Sequence, residues 1–354
     1  MTSMNRLQSR WQEISQYFVP SKEFHRECGD YSSLLKFYDD RPVRSIAAWQ
    51  ARRQEILESW HAIMGPWSDV IENPSIKYVA ETRRENFRQH KIALQIASNW
   101  TLPAYLLVPH GEGPFPAVLV PFYDAETGAG LSDKGYRDYG YQLTKRGFVS
   151  LSIGHVGGRE HVELTHPDLQ RLSFFAYVAA NCWSALANLV YVDPERIGVV
   201  GHSFGGKWAM FAAALWDKFA CGVWSDPGIV FDETRANVNY WESWYLGYEA
   251  GASREPGIPS AQNPPTGAYR KLIEQNKDLH EILALIAPRP FLVSGGAEDP
   301  PERWIPLNRV IEVYEFLGAS HKVGMTNRPA HSPDPEANEV VYKFFEYFLA
   351  LEEQ

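Results

Sequence analysis

The chain has little cysteine. Cys28, Cys182 and Cys221 stand far apart among 354 residues, too few and too scattered for a disulfide framework. Cys182 and Cys221 lie in apolar runs and read as small core residues. No Cys/His spacing suggests a metal centre. No apolar stretch is long enough to cross a membrane. Residues Met1 to Tyr17 lack the apolar core of a signal peptide. These absences lead us to expect a protein of the reducing cytoplasm with no membrane partner. Long basic runs are also missing and the net charge is −9, which argues against nucleic acid as a partner. There are no internal repeats and no low-complexity tail.

What is present is a sizeable apolar complement, 45% of residues, enough for one large α/β domain or two small ones. The most telling segment is Arg196-Ile197-Gly198-Val199-Val200-Gly201-His202-Ser203-Phe204-Gly205-Gly206. A short apolar run, entered through the turn-like Val192-Asp193-Pro194-Glu195-Arg196, ends in Gly-x-Ser-x-Gly, and a helix-forming stretch from Lys207 to Lys218 follows. This is the pattern of a nucleophile elbow. A serine hydroxyl attacks poorly unless it is lifted clear of the sheet, near a base and near backbone donors. A sharp strand-to-helix turn does this at the cost of backbone strain, and the flanking glycines leave room for it.

The surrounding pattern fits such a turn. Residues 1–74 read as a helical N-terminal extension, with Ser45 capping a helix that carries Ile46, Trp49, Ile56, Trp60 and Ile63 and stops at Gly65-Pro66. Its expected role is stability; shaping the pocket or forming an oligomer contact are the functional alternatives. Residues 75–354 read as the catalytic domain. Ile76–Val79, Lys91–Ile96 and Ala104–Val108 alternate as strands of an antiparallel edge. Ala117–Phe122, Phe148–Ile153, the run before Ser203, Ala220–Ser225, Pro290–Ser294 and Lys322–Thr326 are continuous or short apolar runs separated by helical patterns near Tyr136–Lys145 and Leu169–Leu189, with a closing helix over Asn338–Leu351. This alternation predicts an α/β fold with a mainly parallel central sheet and helices on both faces. Residues 226–280 break the rhythm. This long, aromatic-rich insertion suits a lid or pocket wall, in which Trp241 and Trp244 either bind substrate or anchor the insertion.

A serine nucleophile needs a base, and the base needs an orienting acid. In the elbow arrangement these follow in the order Ser, Asp/Glu, His. His321 precedes the last strand, at the wrong edge of the sheet; His331 follows that strand and is the expected base. Two carboxylates compete for the third place. Asp299 follows Phe291–Ser294 in the usual acid loop and is the expected acid. Asp226 follows the strand directly after the elbow and is the alternative, with Glu298 a weaker third. The oxyanion donors are expected to be the amides of Phe204, just after the nucleophile, and of Tyr123 or Asp124, after Ala117–Phe122, although no His-Gly-Gly-Gly stands there. Lys207 reads as a solvated or structural lysine.

With these residues in view, the chain resembles the α/β-hydrolases from about Ser75 onward. More closely it is similar to dienelactone-hydrolase-like and acetyl-xylan-esterase-like serine esterases. Gly201–Lys207 and Ala287-Pro288-Arg289-Pro290 before a strand also resemble the glucuronoyl esterases. In that family the acid can come from the loop after the next strand, which here is the position of Asp226. Those enzymes usually carry arginine directly after the nucleophile, where this chain has Phe204, and dienelactone hydrolases proper use cysteine where it has Ser203. The resemblance implies a carboxylic ester hydrolase acting on a small-molecule ester through an acyl-enzyme, with no cofactor and no metal. The alternatives are a serine peptidase or amidase of the prolyl-oligopeptidase-like group and a non-catalytic module of the same fold.

Overall fold

The computed structural model describes residues 3–157 and 169–349. The antiparallel edge expected from the alternating segments is present as β1 (Ile76–Arg83), β2 (Phe87–Ala97) and β3 (Trp100–Pro109). β4 (Phe115–Pro121), β5 (Val149–Ile153), β6 (Val192–His202), β7 (Cys221–Ser225), β8 (Phe291–Gly295) and β9 (Val323–Asn327) complete one sheet. Its nine strands run in the order β1-β2-β3-β5-β4-β6-β7-β8-β9. β1, β2, β3 and β5 pair antiparallel, and every pair from β5 through β9 is parallel.

Side chains alternate along the parallel strands, so each strand feeds two cores. In β4, Ala117 and Leu119 join the larger cluster, while Val118 and Val120 join the one on the other face. The larger core receives α2 (Ile46–Met64), α5 (Arg171–Ala187), α6 (Phe204–Leu215), α8 (His280–Ala284) and α9 (Trp304–Phe316). The opposite core receives α1 (Ser3–Ile14), α4 (Tyr139–Lys145) and α10 (Pro335–Phe348). A short α3 (Ala125–Gly128) follows β4, and α7 (Gly267–Glu274) lies in the insertion. Every residue of α6 is buried, as expected of a helix that is apolar all round.

The N-terminal 74 residues are less helical than their sequence suggests. α1 ends in a 3-10 turn over Ser15–Phe18, and no helix forms between that turn and α2. Turn formers explain this: Pro20, Cys28-Gly29-Asp30 and Asp39-Asp40 break the helical pattern. The irregular stretch is held by side chains instead. Asn308 Nδ2 donates to Phe24 O and Glu27 O, both at 2.6 Å, and Arg309 Nε donates to Tyr31 O at 2.8 Å. α2 keeps its predicted cap, Ser45 Oγ accepting from the Ala48 amide at 3.1 Å, and ends at Gly65 with φ 89°. The closing helix reaches Phe348; the last part of the span expected for it lies outside the described residues. No helix among the described residues is long and apolar enough to cross a membrane.

β5 and β6 flank β4, and the carboxyl ends of strands at such a reversal of strand order are where α/β sheets bind ligands. The turns after β4, β6, β7, β8 and β9 all emerge at that edge.

Candidate active site

The turn between β6 and α6 is as tight as its glycines imply. A Cβ on Gly201 would lie 2.1 Å from Gly205 O, and one on Gly205 would lie 2.2 Å from Pro121 O. Between them Ser203 takes φ 54° and ψ −113°, a strained conformation for a residue with a side chain. Its amide donates to Ser225 O at 2.8 Å and its carbonyl accepts from the Lys207 amide at 2.9 Å, which fixes the turn on both sides.

The Ser203 hydroxyl lies 2.9 Å from His331 Nε2, and His331 Nδ1 lies 2.7 Å from Asp226 Oδ2. A carboxylate only accepts, so Nδ1 carries the proton and the Nε2 lone pair faces the serine hydroxyl. The carboxylate that meets the imidazole is therefore Asp226 and not Asp299. Asp226 directly follows β7 with φ 52° and is fully buried. Its Oδ1 accepts the amides of Gly296 at 2.7 Å, Glu298 at 3.1 Å and Asp299 at 2.8 Å. Asp299 is turned the other way, toward the β7 turn, where its two oxygens accept the amides of Gly228 at 2.9 Å and Ile229 at 2.6 Å. Burial, followed by the charge of Asp226, raises the Asp299 carboxyl to about 6. Glu298 also faces the insertion, accepting from Asn237 Nδ2 at 2.9 Å. His321 stands before β9, at the opposite edge of the sheet, as its sequence position implies.

A second imidazole backs the first. His202 is buried, its Nδ1 is 3.1 Å from both the carbonyl and the hydroxyl of Ser225, and its ring centroid is 4.8 Å from that of His331. Burial, then the nearby His331, Arg137 and Arg328, hold its pKa well below the usual value, so it is neutral at pH 7.

The amide of Phe204 opens α6, where the first N–H groups have no carbonyl one turn back and the helix dipole favours negative charge. Tyr123 follows β4, and its ring stacks on that of Phe204 at 4.7 Å, so the two residues named as oxyanion donors are in side-chain contact. The Phe122 amide is already committed, donating to Ile153 O at 3.1 Å. Around Phe204 stand Phe175, His155 and Tyr245, with ring centroids at 5.4, 5.6 and 6.3 Å.

The two insertion tryptophans separate. Trp241 is fully buried, with its indole N–H on Glu242 Oε1 at 3.1 Å and its ring edge-on to Tyr269 at 6.0 Å. It anchors the insertion and is not open to a substrate. Trp244 is 38% exposed and lines a cleft of about 420 Å³ together with Arg171, Glu242 and Arg254.

Lys207, which the sequence left as either solvated or structural, is fully enclosed. Its Nζ donates to Pro227 O at 2.7 Å and Asn237 O at 3.1 Å, and it faces the rings of Tyr240 and Tyr245 at 5.0 and 5.4 Å. Burial lowers its pKa to about 8, against the pull of Asp299, Glu298 and Asp226. Sequence reasoning missed Arg328 altogether. It follows β9 and is buried behind the site; a cation three residues before the expected base was the only signal for it.

The sheet order, the elbow and the turns that converge on it define the α/β-hydrolase fold. Two family descriptions match parts of the chain: the prolyl oligopeptidase family over residues 177–299 and the FrsA-like esterases over residues 67–220. The chain is 20% identical over 299 residues to the 2,6-dihydropseudooxynicotine hydrolase of Paenarthrobacter nicotinovorans, a match covering 83% of this chain and 66% of that protein's length. A glucuronoyl esterase from Solibacter usitatus superposes with a TM-score of 0.72 at 16% identity, covering 93% of this chain and 98% of the other. A carbohydrate esterase family 15 glucuronoyl esterase from Caldicellulosiruptor kristjansonii superposes with a TM-score of 0.65 at 20% identity, covering 92% of each. The superposed structures show the α/β-hydrolase fold, and the FrsA-like esterase match supports ester hydrolysis.

Proposed function

We propose that this protein hydrolyses a carboxylic ester through Ser203, His331 and Asp226. The observation that carries this reading is the unbroken hydrogen-bonded chain from the Ser203 hydroxyl through the imidazole to Asp226, with contacts of 2.9 and 2.7 Å. His331 Nε2 takes the hydroxyl proton as Ser203 Oγ bonds to the ester carbonyl carbon. The carbonyl oxygen becomes an oxyanion facing the amides of Phe204 and Tyr123. The intermediate collapses, the C–O bond to the alcohol breaks, and His331 returns the proton to the departing alkoxide. Water, deprotonated by His331, then attacks the acyl carbon; the bond to Ser203 Oγ breaks, His331 returns the proton to Oγ, and the acid is released. Asp226 holds Nδ1–H and offsets the positive charge that the imidazole acquires in each half-reaction. The scheme needs no metal and no organic cofactor.

The structural neighbours named as glucuronoyl esterases favour a sugar-linked ester. Phe204 stands in the position where those enzymes usually carry arginine, so this position offers no cation to an acidic acyl portion. Trp244, exposed on the insertion and lining its cleft with Arg171, is the substrate contact we assign there.

Ser203→Ala should remove turnover of p-nitrophenyl esters and labelling by a fluorophosphonate while leaving the thermal melt unchanged. Full activity in that variant refutes the assignment. The second reading, a peptidase or amidase, draws on the prolyl oligopeptidase match across residues 177–299. Peptide anilides assayed beside p-nitrophenyl esters separate the two, since turnover confined to the anilides would reverse the ranking.

A further inference from the structure

Arg328 is buried, yet it forms no ion pair with a carboxylate among the described residues; every acceptor it meets is neutral. Its Nη1 donates to Ser294 O at 2.7 Å, Ser294 Oγ at 3.1 Å and Gly295 O at 3.1 Å. Its Nη2 donates to His331 O at 2.8 Å and Ser225 Oγ at 3.1 Å, and its Nε donates to Ser332 O at 2.8 Å. Its own amide donates to Gly295 O at 3.1 Å.

The partners fall into three groups. Ser294 and Gly295 end β8, next to the turn whose amides hold Asp226 Oδ1. Ser225 ends β7, directly before Asp226, and also accepts the Ser203 amide. His331 and Ser332 belong to the turn after β9. One rigid, planar group therefore touches the strand end that carries the acid, the strand end that steadies the acid, and the backbone of the base itself. A buried cation is costly unless its donors are met, and here all five N–H positions are directed at oxygen.

We propose that Arg328 is a positioning residue of the Ser203–His331–Asp226 assembly, registering base and acid against one another through a single guanidinium. This deepens the esterase reading and rests on it. Arg328 touches neither substrate nor reacting atoms; it sets where His331 Nε2 and Asp226 Oδ2 stand. A displacement of about 1 Å at such a centre costs on the order of 10²-fold in rate. Lysine cannot substitute, because an ammonium has three donors on a flexible stem and cannot span acceptors on three loops.

The test uses Arg328→Ala, Arg328→Lys and Ser225→Ala in the full chain, with p-nitrophenyl acetate as substrate and active sites counted by fluorophosphonate labelling. We expect kcat per folded molecule to fall about 10²-fold in both arginine variants, with KM within about threefold. Methylguanidinium added to Arg328→Ala should restore part of the lost kcat. A residue that merely stabilised the fold would lower the melting temperature and the folded fraction but leave kcat per folded molecule unchanged, and that result overturns the proposal. If the arginine variants do not fold, Ser225→Ala decides: it removes one hydroxyl acceptor, and unchanged kcat there overturns the proposal as well. Ser203→Ala in the same assay keeps the outcomes distinct, since activity surviving in it would sink the esterase reading whatever Arg328 does.

Discussion

Asp226 and Asp299 hold each other's loops. The Asp226 carboxylate accepts amides from Gly296, Glu298 and Asp299 itself, while the Asp299 carboxylate accepts those of Gly228 and Ile229, just beyond Asp226. Two acids that look interchangeable in sequence thus stand back to back, and only one has an oxygen left for His331.

That relationship predicts opposite outcomes for the two amide variants. In Asp226→Asn the amide oxygen stays on the three backbone donors and the NH₂ faces His331 Nδ1. The imidazole must then adopt the tautomer with its proton on Nε2, which cannot accept from Ser203. We expect kcat to drop about 10³- to 10⁴-fold with the fold intact. Asp299→Asn instead turns an NH₂ against the amide of Gly228 or Ile229, costing about 1–3 kcal/mol of stability while kcat stays within about tenfold. Ester kinetics and urea melts of both variants check this, and it fails if Asp299→Asn is the more damaging to kcat.

The elbow predicts intolerance to a single methyl group. A Cβ at Gly201 or Gly205 would meet backbone carbonyl oxygen at 2.1 or 2.2 Å, and backbone cannot move aside as a side chain can. Gly201→Ala and Gly205→Ala should each cost at least about 1–3 kcal/mol and lower soluble yield. Gly251→Ala, where nothing lies within 4 Å, is the comparison, although its φ of 78° carries a smaller strain. Melting temperatures equal to wild type at both elbow positions would contradict so tight a turn.

Lys207 predicts an alkaline gain in stability. Its folded-state pKa of about 8 lies below the ordinary 10.5. Below pH 8 both folded and unfolded states keep the proton, and the folded state bears the cost of the buried charge. As pH rises from about 8 to about 10.5, the folded state releases a proton that the unfolded chain still holds. Stability therefore rises across that window, by up to about 1.4 kcal/mol per pH unit. Lys207→Met lacks this increment. Urea unfolding of both proteins at about pH 7.5 and about pH 9.5 measures the difference, and identical pH dependence in the two would count against a buried ammonium.

The two tryptophans predict a division between stability and specificity. Trp241→Ala, at a fully buried position, should cost about 3–5 kcal/mol. Trp244→Ala should leave the melt nearly unchanged and alter KM across a panel of sugar-linked and simple alkyl esters. A uniform KM across that panel would remove Trp244 from the substrate contacts.

The positions of Ser203 and His331 were legible because each is a local matter. The glycines flank the serine in sequence, and His331 follows the last strand at the edge where the elbow opens. The carboxylate that meets His331 was not, because the choice between Asp226 and Asp299 depends on which way two adjacent turns point, and neither spacing nor residue type encodes that. Trp241 and Trp244 lie three residues apart in an irregular segment, so no periodicity could assign one inward and the other outward. The mainly parallel sheet and its antiparallel edge followed from alternating apolar runs, whereas the stretch between Phe18 and Ser45 read as more helical than it is. Its tethers, Asn308 and Arg309, lie nearly three hundred residues downstream. Arg328 escaped notice because its partners come from three separate turns.

The insertion begins at Asp226, the carboxylate that meets His331, and this bears on engineering. Anyone grafting a different cap onto this scaffold to change its substrate would be tempted to cut at the end of β7. Such a cut discards Asp226, the carbonyl of Pro227 that Lys207 holds, and the amides that Asp299 requires. A workable exchange leaves residues 226–229 in place and joins the foreign cap beyond them, so that a new specificity arrives without dismantling the catalyst.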